Sequence, residues 1–313
     1  MSSTIAVLGP GGVGGFVAAA LARAGDDVVV VAREPTVEVI SRDGIMVRSV
    51  RLGDFIARPA AVASLAEAPE VLIVATKAGG LRESLARIAA TPGLVVPLLN
   101  GLAHMELLHE HFGPELVAAG TIRIEADRPE AGCVVQTSPF LRIDLAADDP
   151  ALHPALERLA TRLGEAEIPA QIGPSEAQIM WSKLVRLNAL ACTTSASDRS
   201  IGFIRSDPEW RAALVACLEE AAAVANAEGA RIDSANALAE LVDAHAELGS
   251  SMQRDIAAGR EPELEAIPGS VLGAAARHGL TCPTIERLYA EIAERAGAPA
   301  RPFAAGDLRP SGP

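Results

Sequence analysis

The chain opens on an apolar run, Ile5-Ala6-Val7-Leu8, followed by Gly9-Pro10-Gly11-Gly12-Val13-Gly14 and a stretch of helical periodicity ending at Gly25. Val28-Val29-Val30-Val31-Ala32 is a second unbroken apolar run. Short continuous runs suit strands buried on both faces, and a 3.6-residue period suits a helix packed on one face. The pattern therefore predicts strand, glycine turn, helix, strand. Further on, Ile45-Met46-Val47 and Phe55-Ile56-Ala57 flank Gly53-Asp54, which predicts an inserted hairpin. Val71 to Ala75 and Leu94 to Leu99 read as buried strands, as do Leu116 to Ala119, Cys133 to Gln136 and Leu141 to Leu145. Residues 126–132 carry two acids, a proline and a glycine, which is turn composition. Pro154 to Leu163 predicts a helix and Ala170 to Ile172 a last strand before Gly173-Pro174.

Beyond residue 174 strand signals stop. Ala/Leu/Glu-rich stretches at 176–195, 207–228, 234–248, 263–278 and 284–296 carry helical periodicity. The expected organisation is an α/β domain over 1–174, an all-α domain over 175–297, and a Pro/Ala/Gly-rich flexible tail over 298–313.

The first turn carries candidate chemistry. Placed between a strand and a helix, Gly9, Gly11 and Gly14 suit a dinucleotide site. Gly9 permits the tight turn, Gly11 lets the backbone approach a pyrophosphate, and Gly14 lets the helix pack against the strand. The helix N-terminus, with Gly12 and Val13, offers N–H groups to the anion. At the end of the second strand an acid would bind the ribose hydroxyls of NAD, whereas Arg33 suits the 2′-phosphate of NADP. Glu34 beside it pulls the other way. Lys77 and Asn100 each follow the carboxyl end of a predicted strand, where open α/β sheets bind ligands. Asn100-Gly101 also reads as a simple turn.

Composition narrows the function. A net charge of −13 argues against nucleic acid or an anionic membrane as partner, so a bound anion must rely on local cations and backbone amides. No apolar stretch is long enough for a membrane span. The four cysteines, Cys133, Cys192, Cys217 and Cys282, show no CxxC spacing and read as reduced thiols of a cytoplasmic protein. His104, His109 and His111 lack metal-ligand spacing, so no metal is expected.

Two places in the helical half break the apolar pattern. Lys183 sits in Trp181-Ser182-Lys183-Leu184-Val185, and a polar run extends from Ser250-Ser251-Met252 to Glu261-Pro262-Glu263. Each could be a solvated helix face. A dinucleotide domain, however, needs a partner supplying a proton opposite the hydride, and lysines in clefts serve as acids or bases.

Across residues 4–295 the chain resembles the ketopantoate reductases (2-dehydropantoate 2-reductases). The resemblance rests on the glycine loop, Arg33, Thr76-Lys77, Asn100-Gly101, Trp181-x-Lys183, the run from Ser250 through Asp255-Ile256 to Glu263 and Gly269, and His278-Gly279 with Pro283. It implies a Rossmann-type domain followed by a helical domain like that of 6-phosphogluconate dehydrogenase. The implied reaction is NADPH-dependent reduction of ketopantoate to pantoate, in pantothenate and coenzyme A biosynthesis. The implied roles are Lys183 as general acid, Glu263 holding the substrate hydroxyl, Ser251 on its carboxylate, Asn100 bridging cofactor and substrate, and Lys77 on the cofactor side. A homodimer through the helical domain is also expected.

One departure matters. The family pattern places Asn four and eight residues after the lysine, and this chain has Leu187 and Ala191 there. Asn188 lies about 140° around the helix from Lys183. Thr194, eleven residues on, returns to the lysine face and is the remaining substrate-binding candidate. The alternatives are therefore a related oxidoreductase acting on a less polar 2-oxo acid, or a nucleotide-sensing binding protein.

Overall fold

The computed structural model describes residues 3–298, and residues 299–313 of the expected tail lie outside them. The chain divides into two compact units: residues 1–99 with 103–179, and residues 100–102 with 180–313.

In the first unit the elements follow in the order β1 (Ile5–Leu8), α1 (Gly12–Ala24), β2 (Val28–Val31), α2 (Glu34–Asp43), β3 (Ile45–Ser49), β4 (Phe55–Ala57), β5 (Ala60–Val62), β6 (Val71–Val74), α3 (Leu81–Leu85), β7 (Leu94–Pro97), α4 (Ala103–Phe112), β8 (Ala119–Arg123), β9 (Ala126–Glu130), β10 (Cys133–Gln136), β11 (Arg142–Ala146), α5 (His153–Glu165) and β12 (Ala170–Ile172). Five strands form a parallel sheet in the order β5-β2-β1-β6-β7. Alternation along each strand splits the core into two layers. Ile5, Val7, Val71 and Ile73 join Phe16, Leu156 and Leu159 on one face. Ala6, Leu8, Leu72 and Val74 join Leu81, Leu85 and Leu108 on the other. That two-sided burial explains why these strands are apolar throughout. The strand order reverses between β1 and β6, so the ends of these two strands make a switch point.

Two smaller sheets complete the unit, β4-β3-β10-β9 and β12-β11-β8. The expected 45–58 hairpin is β3 and β4, paired antiparallel. Two expectations are corrected. Residues 126–130 form strand β9 instead of a turn, and among the described residues β9 pairs only with β10. An edge strand tolerates Pro129, because one side of its backbone needs no partner. The strand expected at 116–119 lies instead at β8, and Val117 makes only an isolated bridge to Val95.

The second unit is helical among the described residues: α6 (Glu176–Ser197), which begins at the end of the first unit, α7 (Ile201–Ser206), α8 (Pro208–Ala227), α9 (Ser234–Asp243), α10 (Ser251–Ala257), a π-helical turn at Glu265–Gly269, α11 (Ser270–Arg277) and α12 (Pro283–Ala296). Asp207 caps α8 by accepting from the amides of Glu209 and Trp210, with Pro208 in the first turn. The Glu220 carboxylate on α8 accepts from the Thr284 and Ile285 amides, placing a negative charge at the N-terminus of α12. The helix expected over 234–248 stops at Asp243, where Ala244 turns to extended backbone. The helix expected over 263–278 begins instead with the π turn, a five-residue hydrogen-bond step from the Gly269 amide to the Leu264 carbonyl. No described helix is long and apolar enough to cross a membrane.

Candidate functional site

The glycine turn leaves β1 at Gly9, whose φ of +91° favours glycine. A Cβ at Gly14 would lie 2.2 Å from the Gly9 carbonyl oxygen, so α1 approaches the turn as closely as backbone allows. Gly12 has a packing role the motif does not state: a Cβ there would lie 2.3 Å from the Ala126 carbonyl of β9. Gly11 differs, with nothing within 4 Å of an added Cβ. The open side of the turn is therefore at Gly11, the N-cap of α1. The amides of Gly12, Val13 and Gly14 belong to the first turn, where N–H groups lack intrahelical acceptors, and no acidic residue stands there to compete. This cradle fits a pyrophosphate.

Around it, the carboxyl ends of β2 and β6 carry the other first-unit candidates. Arg33 is exposed at the N-cap of α2, and its guanidinium engages no partner among the described residues. Glu34 is also exposed, and its carboxylate lies 3.6 Å from Arg87. A backbone hydrogen bond and the Arg87 charge hold Glu34 below the usual carboxylate range. Lys77 is exposed and precedes the short turn Ala78–Gly80 that follows β6. Thr76 packs its methyl toward Gly9, and a Cβ on Gly9 would lie 2.8 Å from it.

In the second unit the structure joins two candidates directly. The Asn100 side-chain amide donates to Glu263 Oε2 at 2.8 Å, across 163 positions of sequence. Gly101 has φ +81°, and a Cβ there would lie 2.1 Å from the Ala266 carbonyl in the π turn. Asn100-Gly101 is thus a fitted contact with the 263–270 segment rather than a free turn. Tyr289 Oη donates to Glu265 Oε1 at 2.5 Å and anchors the same segment to α12.

Lys183 lies on α6 and is only 9 % exposed, which excludes a solvated face. Leu187, one turn on, is half-buried, and Ala191 is fully buried. Asn188 points elsewhere: it is fully buried, its Oδ1 accepts from Cys192 Sγ, and its Nδ2 has no partner among the described residues. Thr194 is fully buried, and its hydroxyl donates to the Leu190 carbonyl and lies 2.9 Å from Ser250 Oγ. That hydroxyl therefore ties α6 to α10. Ser251, half-buried, opens α10.

Ser250 stands in the polar run read from the sequence but had no role of its own there, yet it organises this corner. It is 2 % exposed, caps α10 by accepting from the Gln253 amide, and meets Thr194. The spacing Ser250-x-x-Gln253 is a capping-box signal that could have revealed it. Arg87 and Glu220 carried no comparable signal, because their partners are remote in sequence. All four thiols are buried. Burial pushes Cys282 up to about 12, and the Cys192 contact together with burial raises Cys217 well above the ordinary thiol range.

The family model for ketopantoate reductase PanE/ApbA matches residues 5–147, and the model for its C-terminal part matches residues 177–296. A 2-dehydropantoate 2-reductase of Mycobacterium tuberculosis is 30% identical over 303 residues, covering 96% of this chain and 100% of the relative. A Bacillus subtilis protein called an uncharacterized oxidoreductase, YkpB, is 25% identical, covering 91% and 96%. The solved 2-dehydropantoate 2-reductase of Geobacter metallireducens superposes with a TM-score of 0.85 at 26% identity, covering 93% of this chain and 99% of that one. A D-mandelate dehydrogenase solved with NADH and anilino(oxo)acetate shares the fold, at TM-score 0.85 and 19% identity, over 94% and 98% of the two chains. The chain belongs to the ketopantoate reductase family. It is an oxidoreductase acting on a CH–OH group with a nicotinamide cofactor.

Proposed function

We propose that this ketopantoate reductase family member reduces a 2-oxo acid to the 2-hydroxy acid with NADPH, with 2-dehydropantoate as the first substrate to test and pantothenate synthesis as its setting. The observation that carries the reading is the Asn100–Glu263 hydrogen bond, in a unit that also buries Lys183 on α6. The glycine turn holds the pyrophosphate, Arg33 the 2′-phosphate, and Lys77 the cofactor side. When bound, the nicotinamide supplies the hydride. Hydride arrival places negative charge on the carbonyl oxygen. The Lys183 ammonium stabilises that charge and gives the oxygen its proton. Glu263 receives the Asn100 amide on Oε2 and keeps Oε1 to accept from a substrate hydroxyl. The Ser251 hydroxyl donates to the substrate carboxylate. We also propose that two copies associate through the helical unit, where Phe203, Val242 and Leu280 are exposed.

A second reading has its own support. Leu187 and Ala191 offer no hydrogen bond on the Lys183 face, and Asn188 and Thr194 are engaged or turned elsewhere. A site that hydrogen-bonds a substrate hydroxyl discriminates strongly, and apolar groups in that place favour a less polar 2-oxo acid. A panel of 2-oxo acids, each tested with NADPH and NADH, decides. Turnover of ketopantoate at the highest kcat/KM supports the first reading. Slow turnover of ketopantoate beside fast turnover of an unhydroxylated branched or aryl 2-oxo acid overturns it for the second. No turnover of any 2-oxo acid overturns both.

A further inference from the structure

Glu34 is a problem for a phosphorylated cofactor. An acid just past the second strand binds a ribose 2′-hydroxyl and repels a 2′-phosphate. Here Arg87 answers it. Arg87 follows α3 in sequence but is pinned elsewhere: Nη1 donates to the Ala63 carbonyl at 3.1 Å, and its own carbonyl accepts from the Leu65 amide at 2.8 Å and from Ser64 Oγ at 3.2 Å. Residues 63–65 continue from the carboxyl end of β5. That end lies beside the carboxyl end of β2, with Val31 paired to Val62 and the Ala32 amide donating to the Val62 carbonyl at 3.1 Å. The hydrogen bonds therefore fix Arg87 at the sheet end where Arg33 and Glu34 emerge. Its guanidinium lies 3.6 Å from the Glu34 carboxylate, while Arg33 engages no partner among the described residues.

We propose that Arg87 is a specificity-determining residue for the phosphorylated cofactor: it neutralises Glu34, so that the Arg33 guanidinium faces the 2′-phosphate without a competing carboxylate. Glu34 is largely exposed, so the pair contributes little to stability, and its consequence lies in ligand choice. The inference rests on the reading of Arg33 as the 2′-phosphate site.

The test measures binding of adenosine 2′,5′-bisphosphate and adenosine 5′-diphosphate by calorimetry, without turnover. The wild-type protein is expected to prefer the bisphosphate. Arg87→Gln removes the charge and leaves the backbone carbonyl of residue 87 to accept from the Leu65 amide and Ser64 Oγ as before. It should cut the preference about tenfold, a change of about 1.4 kcal/mol, and adding Glu34→Gln should restore most of it. The effect should shrink as salt is raised. An unchanged preference in Arg87→Gln, an equal loss for both ligands, or no recovery with Glu34→Gln overturns the proposal while leaving the Arg33 reading intact. A wild-type protein with no preference, unaltered by Arg33→Ala, overturns that reading and the inference with it.

Discussion

At the residue scale the proposed chemistry rests on Lys183 and the Asn100–Glu263 pair. Lys183 is nine-tenths buried on α6, and the role proposed for its ammonium is to protonate a nascent alkoxide. Lys183→Ala should lower kcat by about 10²–10⁴-fold while leaving NADPH binding, followed by nucleotide fluorescence, near the wild-type value. Asn100→Asp is a sharper probe of Glu263. It sets a second carboxylate within hydrogen-bond distance of the first, and two such groups resist joint ionisation. The acidic limb of the kcat/KM profile should therefore move to higher pH, with part of the lost activity recovered above neutrality. An unmoved limb would mean that Glu263 need not be ionised.

At the scale of elements, the glycine turn separates binding from folding. Gly11→Ala adds a methyl into open space, so thermal unfolding should hold near the wild-type midpoint while NADPH affinity falls by tenfold or more. Gly14→Ala drives a methyl into the Gly9 carbonyl, so it should cost about 1–3 kcal/mol of stability and lower the unfolding midpoint directly. The strands β1, β2, β6 and β7 were legible in the sequence because burial on both faces leaves no polar position to blur them. Strand β9 was not, because Pro129 and its acids are permitted only by an edge position that one sequence does not reveal. The π turn was also hidden, since periodicity registers a helix without its hydrogen-bond step. For the candidate site, the sequence offers the candidate residues but not their joins. Asn100 and Glu263 lie 163 positions apart, and the choice between a turn and a contact at Asn100-Gly101 is made by the Ala266 carbonyl. That Asn188 is spent on Cys192 likewise needs the neighbouring turn of α6.

For the molecule as a whole, pH should act on stability through Glu176 at the start of α6. Burial, and then the Asp148 charge, raise its pKa above the ordinary carboxylate value. A raised carboxylate favours the folded state when protonated, so this contribution is present at low pH and is lost as pH rises through the raised value. Glu176→Gln should therefore melt higher than wild type at pH 8, and the gap should close as pH falls to the ordinary carboxylate range. An equal gap at every pH would assign the effect to packing. The buried cysteines offer a different use. Cys133 belongs to the first unit, and Cys192, Cys217 and Cys282 to the second. None should react promptly with a disulfide reagent in the native protein, since all are buried and Cys217 and Cys282 also resist forming thiolate. Under mild denaturant, one equivalent of labelling reports opening of the first unit and three report the second. The chain thus carries its own tally of which half lets go first, read from stoichiometry alone and requiring no added probe site.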